Sequence, residues 1–274
     1  MTLDLIDYLS LLAIILIGIP HGALDLNLAI AGSAAKPKKQ RVIFIVYVMV
    51  AVISFIAWYL APSLSLLAFL LLSTVHFGRA NPLVLDYKNK NLAELVSAIT
   101  FQGGLTTIFL PWLYWNEIKV IFNLLGATSN LFEPIGIFGI IVWFLSAAFT
   151  LVSQRNIGLI LTTFCLLGLV YFKESFTPLS LFAAFFCVLH SLPHYLKAFK
   201  EIERPLLRPP LGFFINTVMA WLLVVIISLF FFQNQSVSSA TLSAIFSVLF
   251  ALTIPHMILV DGLLPRKLEN WRIT

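Results

Sequence analysis

The chain has 274 residues, of which 60% are hydrophobic and only 11% charged, and its formal net charge is +5. Soluble globular chains carry about 25% charged residues, so this composition cannot furnish an aqueous surface. A water-soluble domain is excluded, and the bilayer becomes the solvent against which the rest of the sequence is read.

In chain order, the apolar stretches 8–31, 42–61, 64–80, 93–113, 132–153, 157–172, 178–199, 211–232 and 239–262 read as transmembrane helices. Stretches 64–80 and 157–172 fall short of the roughly 20 residues that cross hydrocarbon comfortably. The expected fold is therefore all-α, a polytopic transmembrane bundle of eight or nine spans. The first stretch follows Asp4 and Asp7 with no basic residue, and no small-residue cleavage pattern precedes the polar break at Ser33 to Arg41. It reads as a retained span rather than a signal peptide. Between 113 and 132, Trp115 to Gly126 alternates polar and apolar residues at helical spacing and is expected along the interface. Connections are mostly short, so residues 1–274 are expected to form a single transmembrane helical domain. Cys165 and Cys187 lie inside apolar runs and read as small buried hydrophobes rather than a disulfide pair.

Basic residues test this layout, because short cytoplasmic loops accumulate Lys and Arg. With nine spans and the N-terminus outside, Lys119 and Lys173 fall on one side and the other 15 of the 17 basic residues on the opposite side. The sequence thus predicts an outside N-terminus and a cytoplasmic C-terminus in the cell (inner) membrane. The positive charge is a topology signal, and no basic stripe with interleaved aromatics marks a nucleic-acid partner.

The five histidines, His21, His76, His190, His194 and His256, all fall inside the expected spans. An imidazole in hydrocarbon is costly, so each is a functional-site hypothesis, although any one alone is more simply read as an interhelical hydrogen bond. Their arrangement favours function. In the nine-span layout they sit on helices one, three, seven and nine, which run in the same direction, and each lies toward the cytoplasmic end. All five then share one layer of the membrane.

Local sequence agrees. Ile/Leu-Pro-His occurs three times, at Ile19-Pro20-His21, Leu192-Pro193-His194 and Ile254-Pro255-His256. Proline breaks the helical ladder, and at membrane depth such irregularity is tolerated where it faces protein or a cavity. His190 and His194 stand four apart, which places them on one helix face and suits a shared metal. Gly22 and Gly78, close after His21 and His76, permit close approach of backbone or ligand. Imidazole suits iron, zinc, copper and nickel, and no cysteine stands at ligand spacing. Asp25, four after His21, is placed to accept the second ring N–H of a ligating histidine, with a helix-end hydrogen bond as its alternative role.

At these motifs the chain resembles the Brp/Blh family of bacterial and archaeal membrane β-carotene dioxygenases. The resemblance is carried by Gly18-Ile19-Pro20-His21-Gly22-Ala23-Leu24-Asp25, by His76-Phe77-Gly78 and by His190-Ser191-Leu192-Pro193-His194. It extends over essentially the whole chain in length, span number and motif order. It implies a non-haem Fe(2+) enzyme that uses O2 to split the central double bond of β-carotene into two retinal molecules, with His21, His76, His190 and His194 as iron ligands. It also implies delivery of retinal to a rhodopsin. The 25 Phe residues could line an apolar channel for a long polyene, although many will face membrane lipid.

His256 is left over from that ligand set. A fifth imidazole would fill a position that dioxygen needs, so His256, like Asp25, is expected near the metal or the substrate channel without binding iron.

Three other classes are weighed. A membrane di-iron desaturase or hydroxylase needs more ligands than five histidines supply. A bis-histidine cytochrome spaces its same-helix pairs by about four turns, whereas here the pair is one turn apart. A proton- or metal-coupled transporter could use buried histidines, but paired broken helices in corresponding halves are not found. The transporter is the best non-enzyme alternative.

Overall fold

The computed structural model of the chain describes residues 3–20, 22, 37–80, 91–153, 157–194, 196 and 210–259. Among these residues every regular element is helical. Six helices are long and apolar enough to cross a membrane: Gln40–Leu60, Pro62–Ala80, Leu92–Leu113, Ser129–Ser153, Phe214–Phe232 and Val237–Met257. Two shorter apolar helices are Leu5–Gly18 and Pro178–His194. The helices are α1 (Leu5–Gly18), α2 (Pro37–Leu60), α3 (Pro62–Ala80), α4 (Leu92–Leu113), α5 (Trp115–Leu124), α6 (Ser129–Ser153), α7 (Ile157–Tyr171), α8 (Pro178–His194), α9 (Pro210–Phe232) and α10 (Val237–Met257). The expected stretch 64–80 lies within a helix of 19 residues, long enough to cross, whereas that at 157–172 is a helix of 15.

Helix starts are set by side chains that satisfy the free N–H groups of the first turn. Asp4 accepts from the Asp7 N–H at 2.8 Å while Asp7 accepts from the Asp4 N–H, a reciprocal cap that opens α1. Asn91 with Glu94 opens α4 in the same way, and Thr177 with Ser180 opens α8. The acidic residues at the chain start therefore have a structural role.

Proline shapes three helices. The Ile19, Leu110 and Leu192 N–H groups each bond the carbonyl five residues back, those of Ile14, Leu105 and Cys187. Each stands immediately before a proline, Pro20, Pro111 or Pro193. A proline cannot donate, and its ring crowds the carbonyl four residues before it, so the preceding turn widens into π-helix. In α1 this leaves the Ile15 carbonyl without its usual helical donor. The Trp221 indole of α9 donates to it at 2.8 Å. Pro255, by contrast, is accommodated within the α-helical run of α10.

Packing follows the rules of lipid-embedded helices. Small residues let α3 and α4 touch backbone to backbone: a Cβ on Gly103 would fall on the Thr74 carbonyl and one on Gly78 on the Ile99 carbonyl. The Thr74 and Thr107 hydroxyls bond at 2.6 Å across the same seam. Among the described residues α10 is the most enclosed of the six long helices, with Leu242, Ile245 and Val248 fully buried, and α2 is the least buried. α5 presents Ile118, Ile121 and Phe122 inward at helical spacing. Its Leu124 carbonyl accepts from the Ser239 and Ser243 hydroxyls of α10. Gly126 then turns the chain with φ 80°, a backbone open to glycine. Cys187 is buried as expected. Cys165 lies exposed on α7, on a face that the polar-apolar pattern of an all-apolar helix could not distinguish from the interior.

Candidate metal centre

α3, α8 and α10 each carry one histidine to a common point. The Nε2 atoms of His76 and His190 stand 3.3 Å apart, and those of His256 and His76 3.1 Å apart. A ligand atom from each of the three rings lies within 4.8 Å of the others, and all three residues are buried. An imidazole nitrogen offers one in-plane direction, holding either a proton or a lone pair. The His76 Nε2 therefore cannot serve as a full hydrogen-bond partner to both neighbours at once.

Convergence of lone pairs on a shared cation would resolve that conflict. Two nitrogens each roughly 2.1 Å from one ion lie at most about 4.2 Å apart; the two pairs that include His76 meet this condition, and the three ligand atoms together lie within 4.8 Å. The donor set, three neutral imidazoles with no thiolate or carboxylate in the group, could hold a divalent transition metal.

Aromatic side chains fix the rings. Phe186 stacks on His190, with centroids 5.9 Å apart and planes 11° apart, and Phe77 meets the His190 ring edge-on at 4.8 Å. Around the histidines lies a small pocket, lined also by Phe69, Ser73, Phe182, Leu249 and Thr253. Burial and aromatic walls keep bulk water from the imidazoles and strengthen any electrostatic interaction made there.

Of the residues named from sequence, the structure brings His76, His190 and His256 together. His194 is buried beside them, its ring 5.7 Å from that of His256, and it is not in the converging group. His21 and Asp25 lie outside the described residues. Sequence reasoning did not single out Phe77 and Phe186. Phe77 adjoins His76, and Phe186 precedes His190 by four residues on the same helix face, a spacing that could have found it.

Gly18 makes room for this support. A Cβ there would drive into the Phe186 ring, and Phe186 in turn braces His190. Gly18→Ala is therefore expected to lower metal occupancy and activity together while the protein still inserts. The check is metal content per membrane-extracted protein. Wild-type occupancy in the variant would show that Phe186 can move without disturbing the site.

Six helices long and apolar enough to cross a membrane, with three buried imidazoles converging among the described residues, define a helical membrane protein whose histidine cluster could hold a metal ion. A sequence model of the family described as beta-carotene 15,15'-dioxygenase matches residues 12–264. A protein of that name from the uncultured marine bacterium 66A03 is 33% identical over 272 residues, covering 95% of this chain and 95% of that protein. The chain belongs to the beta-carotene 15,15'-dioxygenase family. No solved structure matches it.

Proposed function

We propose that the chain is a non-haem iron dioxygenase that cleaves the central double bond of β-carotene with O2 to give two molecules of retinal. The observation that carries this reading is the convergence of the His76, His190 and His256 Nε2 atoms in a buried apolar setting, in a chain of the dioxygenase family. His76 and His190, common to the converging group and to the set that the resemblance implies, would hold Fe(2+), together with His256 on the geometry or with His21 and His194 on the resemblance. When bound, the iron supplies activation of dioxygen, a chemistry that imidazole-rich iron sites support.

The chain's own residues do the rest. Phe77 and Phe186 hold the His190 ring in one orientation, so that little reorganisation is needed at the moment of reaction. The apolar cavity takes the uncharged polyene from lipid and excludes water from it. Cleavage at one position requires that one double bond, among many similar ones, be held beside the imidazoles, and that would be the task of the packed helices.

The nine-span layout belongs to the same proposal, with an outside N-terminus and a cytoplasmic C-terminus in the inner cell membrane. Retinal would leave toward lipid or a rhodopsin partner. The test is expression in cells engineered to accumulate β-carotene. Loss of the orange pigment with extractable retinal is expected. Persistent colour, with the protein present in the membrane, would sink the proposal.

A further inference from the structure

The histidine cavity does not end at its own walls. A second, larger pocket shares Phe69, Ser73, Phe77 and Phe182 with it. This chamber runs back between α3 and α8, toward the starts of both helices. Its lining contains three hydroxyl side chains and no ionisable group. It suits a neutral, apolar ligand.

Two features give it direction. Phe182, Phe186 and His190 follow one another at four-residue intervals on α8. Phe182 and Phe186 are 8° from parallel with centroids 5.5 Å apart, and Phe186 and His190 are 11° from parallel. These three rings stack in an offset column down α8, so that their edges line the way from the chamber to the imidazoles, an edge-on setting that the face of a planar conjugated chain can meet. The far end is closed by α5. There Ile121 and Phe122 line the chamber, with Phe122 wedged edge-on against Phe132 at 4.8 Å. From Leu66, also in the lining, to His76 is ten residues of α3, or about 15 Å of helix.

We propose that this chamber seats one ring-bearing half of the carotenoid, laid against the edges of the Phe182–Phe186–His190 column, and that Phe122 stops its end so the central double bond rests at the histidines. The inference deepens the cleavage reading above and depends on it. Cleavage adds the two atoms of O2 across whichever carbon–carbon double bond lies there, breaking that bond and leaving one carbonyl on each fragment. Depth of insertion therefore changes fragment length and nothing else in the atom balance. Chamber depth is a ruler.

The test has two arms. Phe122→Ala removes the stop, so the products are expected to shift from a single aldehyde to a pair of unequal length. Phe122→Leu serves as a milder variant should the alanine protein fold poorly, and the product ratio does not depend on how much protein folds. In the second arm, chelator-treated protein is titrated with β-carotene and followed by the shift of its visible absorption. Wild type is expected to bind, and Leu70→Trp, which fills the chamber, to lose binding. Retinal as the sole product of both Phe122 variants, with wild-type binding by Leu70→Trp, would overturn the inference and leave the chamber to a lipid acyl chain. If wild type cleaves nothing, the cleavage reading has failed instead, and the binding arm alone decides whether the chamber takes a carotenoid.

Discussion

His76→Ala is expected to abolish cleavage and to strip the protein of bound iron. His76 stands at the centre of the converging group, 3.3 Å from the His190 nitrogen and 3.1 Å from that of His256. Removing it takes away the imidazole common to both close pairs and leaves two of the three converging nitrogens. Residues that merely orient a ligand typically cost 10–100-fold in metal affinity, so loss of a direct ligand should cost at least about 100-fold. Insertion should survive, because it depends on apolar length rather than on one imidazole. The measurement is iron per protein in detergent extract together with retinal formed in carotenoid-accumulating membranes. His190→Ala should behave alike. Near-normal iron in either variant would remove that residue from the site, and loss of the protein from the membrane would show a structural role instead.

How much of this could be read beforehand follows from what sequence encodes directly. Hydropathy gives the helices, whereas the capping pairs at Asp4 and Asp7, Asn91 and Glu94, and Thr177 and Ser180 that mark where three of them begin came to light in the structure. Depth in the membrane follows from position along a span, which is how His76, His190 and His256 could be placed in one layer. The small residue at Gly78 announced a close approach, realised against Ile99. Rotation of each helix about its own axis relative to its neighbours is a different matter. It emerges from the mutual packing of several helices and leaves no local signature in an apolar segment. For that reason His194 and His256 could not be ranked from spacing, and the exposed face of Cys165 could not be told from the buried face of Cys187. The prolines announced irregular turns at Pro20 and Pro193. They did not reveal that the carbonyl left over at Ile15 would be met from α9 by Trp221.

His256→Ala is expected to lose iron to the same degree as His190→Ala, and this outcome divides the sequence expectation from the geometry. From sequence, His256 is expected off the metal, because the resemblance already implies four ligands and dioxygen needs an open position. The structure gives His256 the shortest nitrogen separation in the group, 3.1 Å to His76, on the most enclosed of the long helices. A residue that only hydrogen-bonded beside the metal would have no need to aim its Nε2 at the same point as two other imidazoles. Burial adds a second reason. With 3% of its surface exposed, a neutral ring aimed at two others is better accommodated by a shared cation than by mutual hydrogen bonds that one nitrogen cannot both satisfy. The comparison needs His194→Ala alongside, since that ring lies 5.7 Å from His256 and could compensate. Iron loss in His256→Ala matching that in His190→Ala supports direct ligation. Iron near wild-type occupancy, with activity only partly reduced, would return His256 to the channel wall and leave His21, His76, His190 and His194 as the ligand set.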